Sequence, residues 1–468
     1  MKESLKSLAL ALLVLTSIVQ TGMLWYSSPS NQGNLPKLQH IPTIGHKDFQ
    51  KEEIHQLAAP SEIMLHHDGE HRRILPGADH QTLIDRLHHA RLENPQTIDP
   101  SPAEWKKWLD EETGLELRFR HELPVEVIQA FFQGETEIPE LDTVHRIWIS
   151  GEGDNNQVTV WLISDQTQTV VEGTALLQNY DEMLKLADQA AERPLKAFLN
   201  GKEGNFDEED LKRERAIPRF VYLPPNRAAI NRWSYNLEQK RQINVEDMKM
   251  ILFRNPNNVE KTAISNHIDI YTDVDSSRSL RYNEQNNTMV YTNLLNDTEQ
   301  ELPDPREKLN TIISFMNRHS GWTGNYLLNR VETNQDNGAS DFFFQLHVKG
   351  LPLYGSEPFP KWEEIRLSAQ QGVTHYERSL IFFSSRSGQK HPDHLPSGNE
   401  VREALKKQNA DLSDVRQIYP GYHAVTRENK LELEPVWVVD FYNGKQGFLS
   451  VSQTGRDVEW TGAKLKPS

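Results

Sequence analysis

An unbroken apolar run from Leu8 to Trp25 (LALALLVLTSIVQTGMLW) constrains this chain more than any other feature. It carries no charged side chain. At ~1.5 Å per helical residue it reaches ~27 Å, close to the ~30 Å hydrocarbon core of a bilayer. Lys2 and Lys6 precede it, which favours a cytoplasmic N-terminus and export of the chain beyond the run. Trp25 and Tyr26 stand where an aromatic interface belt belongs. The competing reading is a cleaved signal peptide, whose apolar core is normally about 7–15 residues long and ends in small residues. Here TGMLWYSSPS puts bulky side chains where cleavage would fall, leaving Ser27-Ser28-Pro29-Ser30 as a weak alternative. Length and cleavage criteria together favour an uncleaved anchor and a single-pass membrane protein.

Polar residues inside the run mark one helical face, on which Ala9, Leu13, Thr16 and Gln20 align. Hydrogen bonds between helices in lipid contribute roughly 0.6–2 kcal/mol each, so Thr16 and Gln20 are candidate contacts to another transmembrane helix. An isolated amide bonding to its own backbone or to interfacial water explains Gln20 equally well.

The remainder is long enough for about three domains, and its organisation follows from composition and periodicity. Residues 1–6 form a cytoplasmic tip, 7–26 the transmembrane helix, and 27–59, rich in Ser, Pro, Gly and Asn, a stalk. Three extracytoplasmic domains follow at 60–205, 216–302 and 303–468, separated first by the charged stretch Asn200–Arg215. In the first, Asp68-Gly69 signals a hairpin, Asp79 caps a helix, and Ala175–Leu199 reads as mainly helical. In the second, Pro224-Pro225 opens a predicted helix with Ile230, Trp233 and Leu237 inward; a helix over Val245–Phe253 and three meander strands follow. In the third, Asp304-Pro305-Arg306-Glu307 and Ser397-Gly398-Asn399-Glu400 are capping boxes, Gly321 ends the first helix, and Asn443-Gly444 turns a hairpin. The expected class is α+β, with antiparallel sheets, packed helices, and similar second and third domains.

Composition narrows function. A formal net charge of −16 makes nucleic acid and anionic lipid headgroups poor partners for the body. With no cysteine there is no thiol nucleophile, thiolate metal site, disulfide or lipidated-cysteine anchor. HExxH, GxSxG and GxxxxGK[ST] are all absent. Ser387-Gly388-Gln389-Lys390 matches SxxK, but its SDN and KTG companions are missing and it reads as a chance match in a loop. Nine of the 18 histidines fall between His40 and His89. Adjacent pairs such as His66-His67 diverge on a strand, so a solvated histidine-rich surface is favoured over a metal site. Asp269, Asp273 and Asp275 lack the glycine and distal glutamate of a calcium loop, and Asp207–Asp210 reads as a solvated linker. No catalytic, cofactor-binding or metal-binding residue is assigned.

The basic tip, the KSLALALLVLTSIVQTGMLWYS anchor, and the C-terminal LPSGNEVREAL, QIYPGYHAV and LEPVWVVDFYNG segments together resemble the YycH (WalH) family. These are accessory proteins of the YycFG/WalKR cell-wall two-component system of low-GC Gram-positive bacteria. The resemblance covers essentially the whole chain, as an overall pattern without a short diagnostic motif. It implies a non-enzymatic protein without cofactors, with one transmembrane helix and three extracytoplasmic domains, the second and third related to YycI. It further implies action with a YycI-like partner on a sensor histidine kinase of the YycG/WalK type, altering autophosphorylation through transmembrane contacts. Ala9, Leu13, Thr16 and Gln20 are the candidate contact residues. An anchored cell-wall hydrolase and a ligand-binding extracytoplasmic sensor are the alternatives.

Overall fold

Between residues 62 and 176, apolar side chains fall on both faces of successive strands, so the sheet they form is covered on both sides. The computed structural model describes residues 42–462, apart from 52, 135, 152–155, 205, 213–216, 295–303, 334–338, 356–358, 371, 385–387, 453–454 and 456. The expected anchor, with Ala9, Leu13, Thr16 and Gln20, lies outside the described residues. Among the described residues, no helix is long and apolar enough to cross a membrane.

The first sheet contains β1 (Glu62–His67), β2 (Glu70–Ile74), β3 (Leu92–Ile98), β4 (Gly114–Pro124), β5 (Thr143–Ser150), β6 (Gln157–Ser164) and β7 (Thr169–Leu176). Its order is β2-β1-β4-β5-β6-β7-β3, with every pairing antiparallel. Asp68 and Gly69 both have positive φ, which lets a two-residue turn close the β1–β2 hairpin. One face packs on α1 (Ile54–Leu57), α2 (Ala78–His88), α4 (Val125–Gln129) and α5 (Tyr180–Ala190), reached through Ile63, Leu65, Leu117 and Ile149. The other face carries Met64, Trp148 and Trp161 against Trp105 and Trp108, which come from α3 (Pro102–Lys106) and the wider turn continuing it. The α2 helix begins after Gly77, so Asp79 sits in its first turn without capping it.

Two expectations in this region change. Residues 42–59 do not remain a stalk: Ile54 and Leu57 are buried in the core, and Ile44 donates its backbone N–H to the His319 carbonyl at 3.1 Å. The apolar pair at i and i+3 makes one helical turn with a buried face, which a solvated linker lacks. Ala175–Leu199 is helical only over α5; its end turns into β8 (Lys196–Leu199), which joins β9 (Lys202–Glu203) and β10 (Val221–Leu223) in a small sheet. The charged stretch between them holds α6 (Glu208–Lys212), tied down by buried Phe206 and Leu211. Two apolar anchors thus suffice to fold much of the expected linker.

The second half follows a repeated order of one helix and then antiparallel strands. Before it, β11 (Ala228–Asn236) and β12 (Arg241–Gln242) replace the helix expected after Pro224-Pro225. The 3.6-residue spacing of Ile230, Trp233 and Leu237 was coincidental: β11 lies between two partner strands, and ladder pairing overrides that local pattern. The first unit is α7 (Val245–Leu252) with β13 (Glu260–Ser265), β14 (Ile268–Thr272), β15 (Arg278–Asn283) and β16 (Thr288–Asn293). The second is α8 (Pro305–Arg318) with β17 (Asn325–Thr333), β18 (Ser340–Val348), β19 (Leu351–Tyr354), β20 (Glu364–Ala369) and β21 (Val373–Ser379). After β22 (Ile381–Phe382) and β23 (Gln389–Leu395) comes α9 (Gly398–Lys407), with β24 (Val415–Arg427), β25 (Lys430–Phe441), β26 (Gln446–Val451) and β27 (Val458–Gly462).

Strand β16 pairs antiparallel with β21, so the first two units share one sheet. The β18–β19 hairpin then carries it to β24 through a parallel contact, and β11 runs between β25 and β23. Asp304 and Ser397 cap α8 and α9 as their sequences predict, each accepting from the backbone three residues on. Past α8, Ser320, with φ 50°, takes the left-handed position while Gly321 N–H bonds Met316 O at 2.7 Å. The described residues from Pro42 onward form one compact unit of the α+β class.

Candidate functional site

Alternation along β1, β4 and β5 places charged residues on the same sheet face as the tryptophans. Arg73 donates to Glu62 at 2.6 Å; Arg146 bonds Asp165 at 2.7 Å and approaches Glu116 at 3.4 Å. His145 completes the Asp165 pair, and Tyr222 donates its hydroxyl to Glu116 at 3.3 Å. Burial alone would raise Glu116 and Asp165, but the neighbouring arginines outweigh it and hold both well below the usual carboxylate range: Arg118 and Arg146 for Glu116, Arg146 and Arg219 for Asp165. The same arginines grip the chain that leaves α6. Arg146, Arg118 and Arg73 donate to the carbonyls of Pro218, Phe220 and Tyr222 at 3.1, 3.1 and 3.2 Å. Alternate carbonyls of an extended segment point the same way, so three sheet arginines read one strand edge. Every acid in this network has a cationic partner, which makes it a structural clasp in place of an acid–base pair.

A cavity of about 590 Å³ opens where residues 49–59 meet the second repeat unit. Its walls are mainly apolar, from Phe49, Leu327, Leu346, Trp362, Phe382, Phe383 and Leu431, with polar side chains such as Lys51, Gln81, Thr323, Asn325 and Lys349 among them. Lys51 Nζ donates to Asn325 Oδ1 at 3.0 Å, and burial lowers its pKa to about 8. His80 and His347 are buried at its edge with their Nε2 atoms unpaired. Burial lowers His80 to about 4 and His347 well below its ordinary value, so both rings are neutral. The cavity can accept an apolar group with a hydrogen-bonding end. Its lining comes from several distant segments, and no sequence spacing announces it.

A second polar seam joins β4 to the last repeat. Asp440 accepts from Gln417 at 2.7 Å, Gln446 at 2.8 Å and Tyr419 at 3.1 Å, and Arg120 lies 4.4 Å over the Tyr419 ring. A carboxylate holding three donors is an anchor for packing, not a free base.

The residues singled out in the sequence disperse. Lys390 lies exposed on β23, a strand where a loop was expected, and Ser387 is outside the described residues. Asp273 and Asp275 accept from the backbone N–H groups of Arg278 and Ser277, as turn carboxylates do. The histidine-rich stretch is a solvated surface only in part: His46, His67 and His89 are exposed and His88 half-buried, but His55, His66, His71 and His80 are buried. Adjacent strand residues do face opposite ways, but the inward side is covered by packing that periodicity alone does not reveal.

Family models for the N-terminal and C-terminal domains of the YycH protein match residues 3–191 and 219–451. The interval between them holds β8, β9, α6 and the first residue of the clasped segment, Pro218. A relative from Bacillus subtilis (strain 168), named "Two-component system WalR/WalK regulatory protein YycH", is 21% identical over 459 residues, covering 95% of either chain. The crystal structure of YycH from Bacillus subtilis superposes with a TM-score of 0.65 at 20% identity, over 86% of this chain and 98% of that one. The repeated helix-and-meander architecture is therefore that of a solved fold, and the two domain matches together take in nearly all of the sequence: the chain belongs to the YycH family.

Proposed function

We propose that this protein is a non-catalytic, membrane-anchored regulator of a sensor histidine kinase of the YycG/WalK type. The observation that carries this reading is end-to-end similarity to a protein named as a WalR/WalK regulator, over 95% of both chains. In this reading Leu8–Trp25 spans the membrane, residues 1–6 are cytoplasmic, and the body from Pro42 lies outside. The helix face of Ala9, Leu13, Thr16 and Gln20 meets the kinase or a YycI-like partner. The body divides functionally at the boundaries expected from the sequence, 60–205, 216–302 and 303–468.

Regulation then requires that the chain bind two kinase states unequally, because equal binding shifts no population. Residues 44–59, which the sequence assigns to the stalk, pack into the body, so the chain that leads toward the anchor is tied to the folded domain from Ile44 onward. Co-isolation from detergent-solubilised membranes tests the reading. The full chain should retain the kinase, and a chain beginning at residue 42 should lose it. Equal recovery with both chains would remove the anchor from the contact.

A further inference from the structure

Glu53, His55 and His88 bring three potential ligand atoms within 4.8 Å of one another. Glu53 precedes α1, His55 lies in it, and His88 is the last residue of α2. Glu53 Oε2 stands 3.2 Å from His55 Nδ1 and 2.9 Å from His88 Nε2. The imidazoles stack with centroids 4.2 Å apart.

The outer hydrogen bonds fix where the ring protons sit. His88 Nδ1 is 2.9 Å from the Ala130 carbonyl, which can only accept, so Nδ1 carries the hydrogen. His55 Nε2 is 3.1 Å from Asp85 Oδ1, a carboxylate oriented in turn by Gln81 at 2.8 Å. In neutral rings the inward atoms, His55 Nδ1 and His88 Nε2, are then lone pairs facing a carboxylate oxygen. His55 is 4% exposed and its Nδ1 has no hydrogen-bond partner. Three acceptor atoms thus lie within 4.8 Å of one another.

We propose that Glu53, His55 and His88 form a divalent transition-metal site of zinc type, stapling the segment that enters the body to α2. Tetrahedral zinc with bonds of ~2.0–2.1 Å needs ligand atoms ~3.3 Å apart; the Glu53–His55 and Glu53–His88 separations are close to this, and loading would turn the stacked rings so that both lone pairs meet the ion. Ligating histidines characteristically donate their second ring N–H to a carboxylate or backbone carbonyl, the roles Asp85 and Ala130 fill. Glu53 is half-exposed, so a fourth position opens to solvent. The sequence hid the set because His88 lies on a different helix, far outside any short ligand motif.

Metal-stripped full chain in detergent, titrated with Zn²⁺ against a chromophoric chelator, provides the test, with elemental analysis for stoichiometry. Wild type should bind one zinc per chain and melt at higher temperature when loaded. H88Q and E53Q, at the more exposed ligands, should keep the unloaded melting temperature but lose that zinc, and D85N should bind ~10–100-fold more weakly. Absence of saturable one-to-one binding would overturn the proposal, as would zinc binding unchanged in H88Q and E53Q.

Discussion

Arg146 is 1% exposed, and its guanidinium joins Glu116, Asp165 and the Pro218 carbonyl. Nothing in the local sequence HRIWIS marks it as buried, because an arginine alternating with apolar residues reads as the wet side of a strand. Its partners come from β4, the turn after β6 and the segment entering β10, and only the tertiary fold unites them. Removing one member of a buried charge network leaves the others uncompensated, at a cost of roughly 3–5 kcal/mol. Arg146→Met should lower the urea midpoint accordingly, and Asp165→Asn should weaken the same clasp. A loss below ~1 kcal/mol on equilibrium unfolding of R146M would show that the network contributes little.

Histidines with depressed pKa values, three of them buried and His121 half-buried, make a pH prediction at the same scale. Burial lowers His71 and His319 to about 3, and His80 and His121 to about 4, all below the ordinary value. Their folded pKa values are depressed, so the unfolded chain takes up protons first as pH falls. Their stabilisation is therefore complete above about pH 6.5 and is lost progressively toward pH 3–4. Between pH 6.5 and 5 each ring accounts for on the order of 2 kcal/mol at most. Urea midpoints at pH 7 and 5 should differ strongly in wild type and less in His80→Gln; equal differences would contradict this.

At the level of elements, local signals succeeded where the local chain decides the outcome. Asp304 and Ser397 are helix caps, Asp68-Gly69 turns its hairpin, and the meander strands near residues 268–293 fall where alternation placed them. Signals failed where partners decide: β11 reads as a helix until β23 and β25 flank it. The β16–β21 pairing was equally hidden, since it joins residues on opposite sides of the expected 302/303 boundary. This ladder yields a direct prediction. Val290 pairs with Arg281 on one side and Glu377 on the other, so Val290→Pro removes a ladder hydrogen bond inside the sheet. A loss of roughly 1–3 kcal/mol is expected, the cost of leaving a buried ladder group unpaired. Full retention of the melting temperature would mean the two repeat units are held together by other contacts.

For the molecule as a whole, the α+β class and the helix-then-meander order were legible from periodicity, and the family from the pattern of its termini. The joining of the meanders into one sheet, the arginine clasp and the cavity were not, because each arises from residues far apart in sequence. The central functional claim concerns the anchor, whose order of residues, beyond its hydrophobicity, should matter. The most direct measurement is kinase autophosphorylation in proteoliposomes containing a WalK-type kinase and a YycI-like partner. The native full chain is compared with one whose Leu8–Trp25 segment is scrambled at constant composition. The native chain should change the autophosphorylation rate and the scrambled chain should not, although both carry the same body. An equal change from the scrambled anchor, or none from the native chain, would contradict regulation through the transmembrane helix.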